Sequence, residues 1–393
     1  MAIRKISSLS ILLLGMACAM MLSCSDDDTD RYDDYNIVVD DDEQPNDSTV
    51  AVHDTLEIAI VWNGAVVALT GDIDSITFTM VGSDVSIVSA TNKYLELTLS
   101  GSTTDGSLLI NSLKKYGIIL NGVSITNADG PAINNQCGKS LYVTLAEGTD
   151  NYLTDGDSYA EQTFDQKGTF FSEGQVFFNG TGSLTINGKS KNGIASDDYI
   201  VIDGGTITVN VEETGANGIK VNDGFTMNDG TLNISVTADA ARGIKSDARV
   251  TISGGAMTIT TSGDCETEIV DGVEDASSAA GIKCDSLFTM TAGSLTITSK
   301  GDGGKGINCA DTIKFEGGTL VANTTGSNDE GKPKAVKGDK GIIVSGGSFM
   351  ATCKKSWALD NGVNTEDPQQ RVTILGAPTI NDVQKRSVII KYE

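Results

Sequence analysis

Apolar residues recur about every 25 residues through the second half of the chain. From residue 193 onward, successive lines of sequence begin with Gly-Ile or an equivalent apolar pair. The spacings between the key apolar residues are 25, 25, 38, 25, 29 and 23. These residues are Ile194, Ile219, Ile244, Ile282, Ile307, Val336 and Leu359. A repeat of 20–50 residues is typical of a solenoid, a propeller or another repeat array.

Each repeat contains three short alternations of apolar and polar residues, rich in β-branched side chains, and none has helical periodicity. Three strands and three corners in about 25 residues favour a parallel β-helix, because a propeller blade needs four strands in about 40–50 residues. We therefore expect an all-β fold, a right-handed parallel β-helix (solenoid) of about nine coils over residues 131–365. Residues 51–130 are expected to form an N-terminal β cap with the first strands, and residues 366–393 a C-terminal cap.

The N-terminus has the features of a bacterial lipoprotein signal peptide over residues 1–23. Arg4 and Lys5 precede an apolar run, and a small serine stands directly before Cys24. The alternative is an uncleaved membrane anchor, but the apolar run is short for a membrane span. The acidic residues after Cys24 predict an extended tether over 24–50 and resemble the surface-export tag of Bacteroidetes lipoproteins. We therefore expect an outer-membrane lipoprotein that is exposed at the cell surface and held to the membrane only by its lipid.

Charge and histidine content exclude several function classes. The net charge of −25 disfavours nucleic acid and anionic lipid as partners, and it attracts divalent cations. The single histidine, His53, leaves no histidine-based catalytic triad and no histidine-rich zinc site. We expect a monomer with no nucleic-acid partner.

The repeat predicts rows of side chains along the outer surface. Within the first strand of each line the key apolar residue points inward, so the next residue points outward. Stacking the lines places four lysines in one outward row: Lys220, Lys245, Lys283 and Lys337. A linear polymer along this face would meet a repeated charge about every 4.8 Å. The alternative interpretation is a solvated salt-bridge ladder.

Aspartates near these rows are candidate ligands for calcium, which prefers carboxylate and carbonyl oxygens. The candidate calcium ligands are Asp239, Asp247, Asp264, Asp285 and Asp302. The alternative is that these acids are simply solvated. Trp357, close to the lysine row, is a candidate for stacking on a sugar ring, or else it packs in the core. Cys284 and Cys309 share one slot on consecutive coils, where they either stack as small core residues or form a disulfide.

Several stretches are similar to a known family. The stretches that carry the resemblance are Tyr94–Gly101, Gly117–Thr126, Leu145–Asn151, Leu184–Gly188 and the Gly-Ile repeats. In them the chain resembles the bacterial β-helical carbohydrate-binding domain first described in a cellulolytic clostridium, which is structurally akin to pectate lyases. The resemblance covers about residues 50–365 and implies a calcium-containing, polysaccharide-binding protein without established lyase activity. The family often has Asp directly before Gly-Ile. The corresponding residues here are Asn192, Asn217, Arg242, Ala280 and Lys305.

The sequence therefore predicts a non-catalytic surface lipoprotein that binds an acidic, plant or host polysaccharide, with calcium as its candidate cofactor. One alternative is a pectate-lyase-like uronate lyase, in which Lys220, Lys245 or Lys283 takes the proton next to the sugar carboxylate. The other is a structural adhesin or spacer, in which the β-helix only projects from the membrane.

Overall fold

Each line of the sequence repeat folds into one turn of a parallel β-helix. The computed structural model describes residues 55–392 apart from 65, 72–74, 213, 271–272 and 329. The signal peptide, Cys24 and the acidic tether lie outside the described residues. The described chain is almost entirely strand, turn and loop, with a short 3-10 helix at Pro368–Arg371. Of these residues, none forms a helix with the length and hydrophobicity needed to span a bilayer.

The helix has three sides, which we call the first, second and third faces in the order in which each turn passes through them. The first face is a 12-stranded sheet that contains the Gly-Ile strands. Its strands are Ile76–Val81, Asp84–Ser89, Leu108–Ser112, Ile133–Asn135, Gly168–Ser172, Asn192–Ser196, Ile219–Val221, Arg242–Ser246, Ala280–Cys284, Lys305–Cys309, Lys334–Gly338 and Leu359–Asp360. The first two strands are antiparallel to each other, and the others continue as a parallel ladder.

The second and third faces are continuous as one 23-stranded sheet, because the long strands Thr55–Asn63, Tyr94–Thr103 and Tyr116–Thr126 run through both. The second face continues with Leu141–Leu145, Val176–Gly180, Tyr199–Ile202, Gly224–Met227, Val250–Ile252, Phe288–Met290, Thr312–Phe315, Gly341–Val344 and Thr373–Ile374. The third face continues with Asp150–Thr154, Ser183–Gly188, Thr206–Val211, Thr231–Val236, Ala256–Thr261, Ser294–Ser299, Thr319–Thr324 and Ser348–Cys353.

Antiparallel strands close both ends of the long sheet. At the N-terminal end, Val66–Gly71 pairs with Thr55–Asn63. At the C-terminal end, Ser387–Lys391 pairs with Ser348–Cys353 and with Thr379–Val383. These hairpins pair strand edges that would otherwise be free to recruit another chain.

The number of turns is about eleven within the described residues, from Asp84–Ser89 to Leu359–Asp360 on the first face. The all-β, parallel β-helix prediction is confirmed, but the expected nine coils were too few. The missing turns lie in the N-terminal part, where the lines lack the Gly-Ile pattern. The spacing of 38 comes from an antiparallel hairpin, Glu266–Val270 with Val273–Ser277, inserted between two turns.

The seven key apolar residues pair with one another in register on the first face, as the alignment of the repeat predicts. The glycine before each isoleucine is needed because the backbone passes close to the third face. A Cβ on Gly218 would lie 2.6 Å from Ile234 Cγ2 and 2.5 Å from the Gly243 carbonyl oxygen. Both distances are shorter than carbon contacts allow, so a larger residue would push apart the two faces that enclose the core.

Cysteines contribute to the core as free thiols. Cys284 and Cys309 pair in register on the first face, and both are buried and free. The Cys309 thiol donates to the Ser286 carbonyl oxygen at 2.8 Å. The structure therefore has the stacked core pair rather than the disulfide.

Candidate functional site

The four predicted lysines lie in one row of the first face. Strand register pairs Lys220 with Lys245 and Lys245 with Lys283, and Asn308 separates Lys283 from Lys337. Adjacent strands of a sheet are about 4.8 Å apart. Between Lys220 and Lys337 the row therefore carries a cation on four of five turns along the helix axis.

Aspartates of the neighbouring row pair with these lysines. Lys220 pairs with Asp247, and Lys337 lies 2.6 Å from Asp339. The ammonium groups of Lys245 and Lys283 are each 3.7 Å from an aspartate two residues later in the chain. The lysine side chains are 19–31% exposed. The face therefore presents a ladder of alternating charges. The pairs Lys245–Asp247 and Lys283–Asp285, at 3.7 Å, are the longest of these ion pairs.

The five aspartates predicted as calcium ligands lie in two separate sets. Asp247 and Asp285 belong to the ion-pair ladder. In the other set, Asp239 Oδ1 accepts from the Asp264 backbone N–H at 2.7 Å, and Asp264 Oδ1 accepts from the Asp302 N–H at 2.7 Å. These hydrogen bonds tie successive turns together.

Asp302, at the end of this second set, uses both carboxylate oxygens. The carboxylate accepts from the backbone N–H and hydroxyl of Ser327 and from the side chain of Asn328. The backbone hydrogen bond from Ser327 lowers the pKa of Asp302. The predicted donor set is divided and already hydrogen-bonded, so it does not fit one preformed calcium site, and calcium binding stays a prediction.

A different carboxylate group does converge. Among the described residues, Asp165, Glu173 and Asp197 bring one oxygen each within 4.8 Å of one another. Lys167 is ion-paired with both aspartates of this group. Burial and the nearby charge of Asp197 raise the pKa of Glu173. The lysine already supplies a positive charge to these acids.

Trp357 is half-buried and contacts two cations. The Arg371 guanidinium lies 3.9 Å from the ring centroid, and the Lys385 ammonium lies 4.7 Å from it. Such contacts stabilise by about 0.5–1 kcal/mol at exposed sites. A sugar that stacks on this ring must displace one of them, so the predicted stacking role requires a rearrangement.

Two grooves open along the first face. The smaller one encloses about 440 Å³ and is lined by Lys167, Lys191 and Lys220 among others. The larger one encloses about 660 Å³, and Thr267 and Ala276 of the inserted hairpin form one of its walls. Each groove contains one member of the predicted lysine row, Lys220 or Lys337.

The larger groove also contains Lys305 and Lys334, which the sequence analysis did not propose as site residues. They pair in register, and they occupy the position where the resembled family often has Asp. Lys305 is 8% exposed and Lys334 7%. Burial, reinforced by the charges of nearby lysines, lowers the pKa of Lys305 to about 8, and burial also lowers the pKa of Lys334. The sequence did contain a signal for these two residues, because lysine stands at a position where the resembled family often has Asp.

An aromatic row lies on the second face. Tyr142 stacks on Phe177 with centroids 5.1 Å apart, and Tyr199 meets Phe177 edge-on at 5.7 Å. Phe177 is only 7% exposed because its neighbours cover it. The rings therefore form a packed cluster rather than an open platform for stacking.

Comparison with known proteins identifies the family. A family model described as carbohydrate-binding domain-containing protein matches residues 81–247 and 233–331, which is more than half of the chain. The chain belongs to this carbohydrate-binding domain family. The family match includes five of the seven Gly-Ile-type lines and three lysines of the row, whereas Lys334 and Lys337 lie beyond it.

Two known proteins are similar to parts of this chain. A carbohydrate-binding domain-containing protein of Acetivibrio thermocellus is 34% identical over 115 residues, which is 28% of this chain and 40% of the relative. The matched part of the chain thus spans less than half the length of that relative. A solved structure, described as the polysaccharide lyase-like protein from C. thermocellum, gadolinium derivative, aligns with a TM-score of 0.54 and 26% identity. That alignment covers 66% of this chain and 96% of the solved one.

Proposed function

We propose that this protein binds an acidic or mixed polysaccharide along its first face and does not cleave it. Membership of the carbohydrate-binding domain family supports the ligand class. The observation that carries the choice of face is the position of both grooves on the lysine row. A polymer that follows the helix axis would pass from one groove to the other over Lys245 and Lys283.

The strength of such binding follows from the ladder. Each exposed charge contact contributes less than about 1 kcal/mol, because water screens it and an aspartate competes for the lysine. Several weak contacts along one chain add up through multivalency. The affinity is therefore low per sugar, rises with polymer length and falls with salt.

We also propose the cellular setting that the N-terminal sequence predicts. Lipidation of Cys24 anchors the protein in the outer membrane of a Bacteroidetes-type cell, and the acidic tether holds the β-helix at the surface. Calcium is the proposed cofactor, since carboxylates are its preferred ligands, and its binding would require the divided and already hydrogen-bonded aspartates to rearrange.

The test is affinity electrophoresis in gels that contain polygalacturonate, with absorbance at 235 nm as the assay for unsaturated products. The variant changes Lys220, Lys245, Lys283 and Lys337 together to Ala. The control changes four lysines outside the first-face strands to Ala: Lys93, Lys139, Lys314 and Lys391. We expect the control and the wild type to be retarded and the first-face variant to run freely. Equal retardation of both variants would place the binding site elsewhere.

A second candidate, a uronate lyase, is favoured by one observation. Lys305 lies in the larger groove with a pKa of about 8, so part of its amine is neutral near neutral pH and can accept a proton. In such a reaction the amine takes the proton next to the sugar carboxylate, the bond to the leaving sugar oxygen breaks, and a carbon–carbon double bond forms. Product absorbance from the wild type that disappears in Lys305→Met would establish this candidate over the non-catalytic one.

A further inference from the structure

We infer that the larger groove of the first face is a specific site for one anionic group of the ligand, a carboxylate or a sulfate, bound by the ammonium groups of Lys305 and Lys334. The inference rests on the proposed function and specifies which chemical group of the glycan is recognised. It adds to the lysine row a pair of residues that act from inside the groove.

The charges in the groove contrast with those of the whole chain. The protein has a net charge of −25, yet Lys305, Lys332, Lys334 and Lys337 line this groove. Its described acidic lining residues are Glu330 and Asp360. Cations gathered in a cleft of an acidic protein attract an anion that the rest of the surface repels.

Lys305 and Lys334 differ from the lysines of the row in their partners. The Lys305 ammonium donates to Ser278 Oγ and to the Gly331 carbonyl oxygen at 3.1 Å. Within the described part of the chain, neither Lys305 nor Lys334 has a carboxylate within 4.0 Å. A buried charge with only neutral partners is costly, and an arriving anion removes that cost.

Donor capacity remains at both ammonium groups. An ammonium has three N–H donors, and Lys305 uses two of them on described residues. The three contacts of Lys334, to Lys332 O, Pro333 O and Ser356 Oγ, are 3.3–3.4 Å long. Hydrogen bonds of this length are at the weak end of the usual range. A carboxylate or sulfate oxygen can therefore form shorter bonds with both lysines.

The shape of the groove favours a single anionic group over a bulky polyanion. The inserted hairpin forms one wall with Thr267 and Ala276, and the loop with Glu330 and Gly331 forms another. The volume of about 660 Å³ is within the range of small-ligand sites. We therefore expect the groove to hold one charged sugar while the rest of the polymer lies along the lysine row.

This arrangement predicts a specific pH dependence. The groups that act on Lys305 from the surrounding elements are Lys334, Lys337, Arg242, Cys265 and, across the groove, Glu330. Burial holds the pKa of Lys305 at about 8 in the free protein, and a bound anion raises it. Binding is therefore accompanied by proton uptake near pH 8 and weakens as the pH rises further.

The experiment is calorimetric titration of the intact protein with three oligosaccharides of equal length: an oligogalacturonate, a sulfated glucan and a neutral glucan. The variants are Lys305→Met and Lys334→Met, with Lys314→Met on the second face as the control for charge. Loss of one charge-assisted hydrogen bond predicts an affinity about tenfold lower for each groove variant. The control should bind like the wild type, and the carboxylate and sulfate arms show which anion is preferred.

Three results would overturn the inference: unchanged affinity in both groove variants, equal affinity for the neutral oligosaccharide, or no proton uptake at pH 8 in buffers of different ionisation enthalpy. The pH measurement uses the wild type and does not depend on the folding of any variant. If the groove variants bind normally while the four-lysine variant of the row does not, the inference fails and the proposed function stands. If no polysaccharide binds, titration with inorganic sulfate still tests the groove.

Discussion

Replacing Lys305 by Met tests whether this residue is kept for binding rather than for stability. The side chain is 8% exposed, and its described partners are the neutral oxygens of Ser278 and Gly331. Methionine has a similar length and no charge, so it fills the same space without a desolvated ammonium. We therefore expect the substitution to stabilise the fold at neutral pH while it weakens the binding of anions.

The magnitude follows from the pKa of Lys305. Burial lowers it from 10.5 to about 8. Each unit corresponds to about 1.4 kcal/mol, so the charged form costs at most about 3 kcal/mol at pH 7. The two lost hydrogen bonds offset roughly 2 kcal/mol of this gain. A net stabilisation of about 1 kcal/mol at pH 7 remains, which raises the melting temperature by about 2 °C or less in a chain of this size.

The sign of the pH effect distinguishes this explanation from a purely structural role. Because the pKa of Lys305 is lower in the folded state, the unfolded chain binds more protons between pH 8 and 10.5. The stability of the wild type therefore rises through this range relative to Lys305→Met. Scanning calorimetry at pH 7 and pH 10 should show the variant melting above the wild type at pH 7 and below it at pH 10. A variant that melts lower by the same amount at both values would refute the reasoning.

Three further predictions concern the fold, the metal and the anchor. Gly218→Ala should destabilise by about 1–3 kcal/mol, because its Cβ overlaps Ile234, whereas Gly138→Ala, which meets nothing within 4 Å, should leave the urea midpoint unchanged. If calcium binds the folded state, adding it at 100 times its Kd to chelated protein should stabilise by about 2.7 kcal/mol, and an unchanged melting temperature in millimolar calcium contradicts this. Cys24→Ala should abolish palmitate incorporation, so equal labelling of wild type and variant would exclude lipidation at that residue.

The fold was largely predictable because a solenoid repeats its packing in its sequence. Ile219 and Ile244 are 25 residues apart and are direct neighbours on the first face. Aligning each repeat with the next therefore predicts which residues pair between adjacent strands. The N-terminal turns were miscounted because long strands such as Tyr116–Thr126 run through two faces without a Gly-Gly corner. Their apolar pattern is correct, but the usual markers of a turn are missing.

The candidate site was predictable only in part. Alternation along a strand placed Lys220 and Lys245 in one outward row, and register agrees with that placement. The distances of the lysine–aspartate ion pairs and the burial of Lys305 could not be predicted in this way, because they depend on loops that do not repeat. The inserted hairpin and the loop that contains Gly331 cover Lys305, and no periodic pattern indicates where such insertions fold. In the same way, Arg371 contacts Trp357 from a separate C-terminal segment.

Acetylation footprinting of lysines by mass spectrometry, with and without an acidic polysaccharide, tests the central claim most directly. If the polymer lies along the first face, labelling should decrease at all four row lysines: Lys220, Lys245, Lys283 and Lys337. Lys314 on the second face should be labelled equally in both samples. Protection of Lys314 together with unchanged labelling of the four row lysines would contradict binding on the first face.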